Sequence, residues 1–149
     1  MNDRPSTHPY GPDAPKEDFL GLALGALVFG VALGTGLNAV VGIAVRTLQA
    51  NRAPDPALDL GASPAIVYLA GTVVACLAAA IATWRLMAPV NNTYRQGMFA
   101  MVAVFSTFVF SGTAMIADWA FGRLGLLGLA AASLLLCLWL GRRLTRVSA

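Results

Sequence analysis

Few side chains in this 149-residue sequence could carry chemistry, and their spacing limits what that chemistry is. Asn38 is the one carboxamide set well inside an apolar stretch, next to the segment Gly34-Thr35-Gly36. An amide in hydrocarbon must find a hydrogen-bond partner, because leaving it unpaired there is costly. Thr35, Thr72 or a backbone carbonyl offers that partner, and the bond would act as structural glue worth about 0.6 kcal/mol on average. The alternative is an ion or substrate contact, made where the backbone around Gly34-Thr35-Gly36 loosens. Together with Thr72, Ser106 and Ser111, Asn38 would then line an uncharged polar path.

Other chemistries find little to stand on. The single histidine, His8, precedes every apolar stretch, so no span offers an imidazole to a haem, and no cofactor is expected. Cys76 and Cys137 lie in separate apolar stretches with neither CxxC nor zinc-ligand spacing, and they read as free thiols and no metal site. Asp118 sits near a span end, where it is expected to face Arg123 or water; no carboxylate or lysine lies deep enough for a proton relay. Ser106, Ser111 and Ser133 have no base beside them in sequence, so no catalytic residue is assigned. The ten Lys and Arg residues occur in ones and twos, not in a patch, which argues against nucleic acid as a partner.

The elements that must position these residues follow from composition. The chain is 58% hydrophobic and 11% charged, too few charges to clothe a soluble domain of this size, whose charged share would be roughly 25%. No Asp, Glu, Lys or Arg occurs in 19–45, 61–84, 96–117 or 124–141. Each stretch meets or approaches the run of about 20 residues that spans hydrocarbon as a helix. The fold expected is an all-α integral membrane protein, a bundle of four transmembrane helices at about 19–45, 64–87, 97–117 and 124–141, forming one domain over 19–143. Local signals agree with these limits. Glu17 and Asp18 favour a helix start, Ser63-Pro64 places a hydroxyl cap before a first-turn proline, and Asn91, Asn92 and Thr93 form a polar turn able to cap the third span. A short connection at 118–123 would separate the last two spans.

With four spans, one side holds Arg4, Lys16, Arg85, Arg95, Arg142, Arg143 and Arg146, and the other Arg46, Arg52 and Arg123. The richer side faces the cytoplasm by the positive-inside rule, so both termini are cytoplasmic, in a membrane expected to be the bacterial inner membrane. Residues 1–18, with Pro5, Pro9, Pro12 and Pro15, form a flexible tail, and 144–149 a short basic C-terminus. The connection 46–63 is the only sizeable loop.

Within lipid, helices associate by close packing, and small residues mark the faces. Gly30, Gly34, Asn38 and Gly42 form one ridge on the first span, below Gly21 and Gly25; Gly71, Ala75, Ala79 and Thr83 form another on the second. A GxxxG-like crossing of the two is expected, with Gly128 and Ala132 as a lesser version on the fourth. Met98, Met101, Phe105, Phe108, Gly112 and Met115 recur at seven-residue spacing on the third span, and are expected to form a packing seam filling the space opposite glycine-rich neighbours.

Phe105-Ser106-Thr107-Phe108 resembles a short string in the small four-span fluoride channels, and Gly34-Thr35 ahead of Asn38 resembles the Gly-Thr before their membrane asparagine. That asparagine lies in the second span of those channels and Asn38 in the first, and the glycine and threonine run leading into the string is missing here. The likeness covers few residues and no site is carried across. What the residues themselves suggest is a small polytopic membrane protein that serves as a structural or accessory subunit, with the bilayer and either a larger membrane complex or further copies of itself as partners. The alternative is a small channel or transporter with an uncharged pore for an ion or small solute.

Overall fold

The structure is a computed structural model that describes residues 16–50, 64–90 and 92–147. Every regular element among them is helical: α1 (Lys16–Ala50), α2 (Pro64–Leu86) and α3 (Thr93–Val147). Residues 1–15, 51–63, 91 and the last two residues lie outside the described set, so the expected flexible tail falls largely there, although 16–18 already belong to α1; of the basic C-terminus expected at 144–149, residues 144–147 continue α3. Three helices are long and apolar enough to cross a membrane, over Phe19–Leu48, Ile66–Leu86 and Thr93–Leu144.

The helix ends follow from local chemistry. Pro64 opens α2, where its missing N–H leaves nothing unsatisfied. Asn92 caps α3: its side-chain oxygen accepts from the Arg95 N–H at 3.2 Å, while its backbone carbonyl receives the Gln96 N–H at 3.1 Å. Helix α3 therefore starts at Thr93, four residues before the expected Gly97.

The connection expected at 118–123 differs more. Those residues are helical and the break is confined to Gly122, at φ 59° and ψ −140°, a region open essentially to glycine alone. As one straight rod, the apolar part of α3 would run about 78 Å, more than twice the roughly 30 Å of hydrocarbon. Its contacts show that it is not straight. In the leading arm, before Gly122, Phe99 meets Phe19, Thr107 meets Gly34 and Asp118 meets Arg46, so contacts on α1 advance with the chain. In the trailing arm, Leu126 meets Gly42, Ser133 meets Gly36 and Leu144 meets Gly25, in the reverse order. Ala39, Ala114 and Leu126 share one buried cluster, which only a sharp reversal between the arms allows. Helix α2 runs against α1 as well, with Gly71 beside Val41, Ala75 beside Gly34 and Ala79 beside Gly30.

Small side chains fill the interior. Ala23, Ala26, Ala39, Ala75, Ala79, Ala103 and Ala114 are buried, and α1 lies at the centre with α2 and both arms of α3 against it. The outside carries the bulk: Leu69, Leu77, Met101, Phe105, Phe108, Leu135 and Trp139 are all exposed. This is the arrangement in which close backbone approach holds the helices and large apolar groups face lipid. It overturns the expected packing seam on the third span, because Met98, Met101, Phe105, Phe108 and Met115 point outward while Ala100, Ala103, Thr107 and Ala114 occupy the inner face. Nothing within 4 Å faces Gly112 on that outer stripe.

Candidate functional site

The α1 ridge expected to pack is where α1, α2 and α3 meet most closely. A Cβ added at Gly30 would collide with the Thr83 hydroxyl and lie 2.9 Å from the Ala79 carbonyl oxygen. At Gly34 it would collide with the Thr107 methyl and lie 3.1 Å from the Ala75 carbonyl oxygen; at Gly71, on α2, it would lie 2.6 Å from the Val41 side chain. Gly42 faces Leu126 and the Tyr68 hydroxyl. Gly21 and Gly128 face open space, so these two make no close approach, and Gly25 instead meets Leu144.

Asn38 lies on this ridge between Gly34 and Gly42 and is buried. The contact order puts Thr72 of α2 and Ser111 of the leading arm at about its level, since Gly71 sits by Val41 and Ala114 by Ala39. None of them pairs with the amide: the Thr72 hydroxyl donates to Tyr68 O at 2.9 Å and the Ser111 hydroxyl to Phe108 O at 2.6 Å, each on its own helix. Asn38 Nδ2 has no hydrogen-bond partner, and neither has the fully buried Thr107 Oγ1. The expected Asn38 bond to Thr35, Thr72 or a carbonyl is therefore not made by its amide nitrogen. A buried polar group left unpaired costs about 1–3 kcal/mol, so two of them, one turn apart on adjoining helices, mark the stretch from Gly34 to Asn38 as the polar centre of the described bundle.

Ser106, the remaining residue of the expected polar path, lies apart from Thr72. It joins Thr35 and Ser133 on a groove of ≈ 440 Å³ whose other walls are apolar, among them Leu27, Val31, Phe110 and Leu136. Thr107, next to Ser106, stands in the sequence only as part of the Phe105–Phe108 string and not as a member of the expected polar path. Its signal was available only in combination, as a hydroxyl at the helical position facing the α1 glycines.

A second polar group closes one end of the bundle. Arg46 of α1 pairs with the Asp118 carboxylate, and Arg123, beyond the Gly122 break, donates to the Thr47 hydroxyl at 3.0 Å. Asp118, expected to face Arg123 or water, thus faces Arg46, because the helix continues through 118–121 and carries Arg123 around the break. At the opposite end Arg95 lies over the Phe19 ring at 5.2 Å and Arg143 over Trp139 at 5.5 Å.

Cys76 and Cys137 are free, far apart in their contacts, and each points its thiol at a carbonyl, Val104 O and Phe29 O respectively. Among the described residues no group of three His, Cys, Asp or Glu side chains converges as a metal site would require. What the buried centre offers is a set of neutral hydrogen-bonding groups in an apolar surround. Comparison with known proteins gives no match to this chain among protein-family models, curated proteins or solved structures.

Proposed function

We propose that the chain is a four-pass protein of a bacterial inner membrane, with both termini on the cytoplasmic side, that serves as a structural or accessory subunit of a larger membrane assembly. The observation that carries this reading is the division of side chains by size. Ala, Gly and Thr close the interior, while the stripe of Met98, Met101, Phe105, Phe108 and Met115, set by a seven-residue repeat, faces outward, where a neighbouring helix can pack on it. Reversal of α3 at Gly122 supports two passes by that helix, and the exposed Trp84, Trp119 and Trp139 suit the two interfaces. Gentle detergent extraction from the native membrane tests the assignment. It predicts a stoichiometric protein companion, and the chain running alone would contradict it.

A second reading, a small channel or facilitator, is favoured by one observation: Asn38 and Thr107, whose side chains each carry a buried unpaired group, stand three residues after Thr35 and next to Ser106, which with Ser133 bear the hydroxyls of a groove. Liposome flux assays decide between the two. Flux lost in Asn38→Leu would promote the channel, and silence across a panel of ions and small solutes would remove it.

A further inference from the structure

We infer that Asn38 Nδ2 and Thr107 Oγ1 together bind one buried water molecule at the centre of the bundle, whether the protein acts as a subunit or as a channel. Both groups are more than nine-tenths buried and unpartnered, and they belong to facing elements. Thr107 packs on Gly34, and Asn38 is the next residue along the same ridge, one helical turn away.

Thr107 is set apart by what its hydroxyl does. Thr47, Thr72, Ser111 and Thr113 each donate back to a carbonyl one turn earlier on their own helix, to Ile43, Tyr68, Phe108 and Phe110. Thr107 turns methyl and hydroxyl toward α1, and Oγ1 lies 3.1 Å from the point a Cβ would occupy at Gly34. The Ala75 carbonyl oxygen of α2 lies at the same distance from that point, so a hydroxyl and a carbonyl from two other helical segments face α1 at Gly34, one turn before Asn38.

The chemistry of this set selects the ligand. The Asn38 amide nitrogen only donates, and the Thr107 hydroxyl donates or accepts, so the ligand must accept at least one hydrogen bond. A ligand that also donates would use the Ala75 carbonyl. Water does both and is neutral, whereas an anion would be stripped of its hydration with no cation to compensate it. Arg46, two turns further along α1, is already held by Asp118.

The test is an experimental structure of the full chain in lipid, at a resolution that shows ordered water, for the wild type, Thr107→Ser and Thr107→Val. The wild type and Thr107→Ser should each show one density peak within about 3.2 Å of both Asn38 Nδ2 and residue 107; in Thr107→Val the peak should disappear. Direct bonding of Asn38 and Thr107 to each other or to carbonyls, with no peak between them, would overturn the assignment. So would an anomalous peak at that position after bromide replacement, which would identify an anion. If Thr107→Val fails to fold, the wild-type density decides alone.

Discussion

Arg46 binds Asp118 across 72 positions of sequence, through Nε to the carboxylate and through Nη2 to the Asp118 backbone oxygen at 3.4 Å. The next residue of α1, Thr47, accepts from Arg123 on the far side of Gly122. The last turns of α1 therefore hold both flanks of the one break in α3, and the α3 reversal rests on three features: a glycine, an ion pair and a side-chain hydrogen bond.

Because Arg46 and Asp118 act as a pair, Arg46→Gln and Asp118→Asn should lower the thermal midpoint in detergent to similar extents. The double variant should lie near either single one, since each change removes the same interaction. Thermal scans of the four proteins check this, and additive losses would show that the two side chains act separately.

Gly122 should be intolerant for backbone reasons alone. No atom lies within 4 Å of a Cβ built there, yet its φ and ψ suit only glycine, so Gly122→Ala should cost about 1–3 kcal/mol of stability. Gly112→Ala, equally open but at ordinary helical angles, should be neutral or slightly stabilising. Equal effects at the two positions in chemical unfolding would contradict the assigned turn.

Size should matter on the inner ridge and not beyond it. Gly34→Leu drives a side chain into Thr107 and Ala75, and overpacking of this kind costs about 1–3 kcal/mol or more. Gly21→Leu enters open space and should leave stability and detergent behaviour unchanged. A reversed order of the two variants in thermal unfolding would mean that α1 presents a different face to the bundle.

At Asn38 the expected order separates polarity from charge. Asn38→Leu should change stability by no more than about 2 kcal/mol, the upper range for intramembrane hydrogen bonds. Asn38→Asp places a carboxyl group in a buried site with no cation, where it must take up a proton to stay, and should lower the yield of folded protein at neutral pH more than Asn38→Leu does. Comparable yields of folded protein from both variants would place Asn38 at a hydrated surface.

Much of the architecture is legible in the sequence because charge is expelled from hydrocarbon so consistently. The charge-free stretches locate the helices, Pro64 starts α2 where its chemistry allows, and Asn92 caps α3. The inner and outer faces are harder to read. In water an apolar stripe marks the buried side, but in lipid both sides of a helix are apolar and only residue size distinguishes them. This is why the stripe from Met98 to Met115 looks like a packing seam in sequence and lies on the exterior, while Ala100, Ala103 and Thr107 pack inside. Asn38 stands out by its type. Thr107 does not, because its role depends on Gly34 having no side chain 73 positions earlier. The pairing of Asp118 with Arg46 is equally invisible locally, since it depends on the register of two helices.

The central proposal is that α3 crosses the bilayer twice, turning at Gly122. Reporter fusions after Ala50, Asn92 and Ala149 test it directly. Two crossings predict that the fusions after Asn92 and Ala149 report one side of the membrane and the fusion after Ala50 the other; Ala50 and Ala149 on the same side would contradict it.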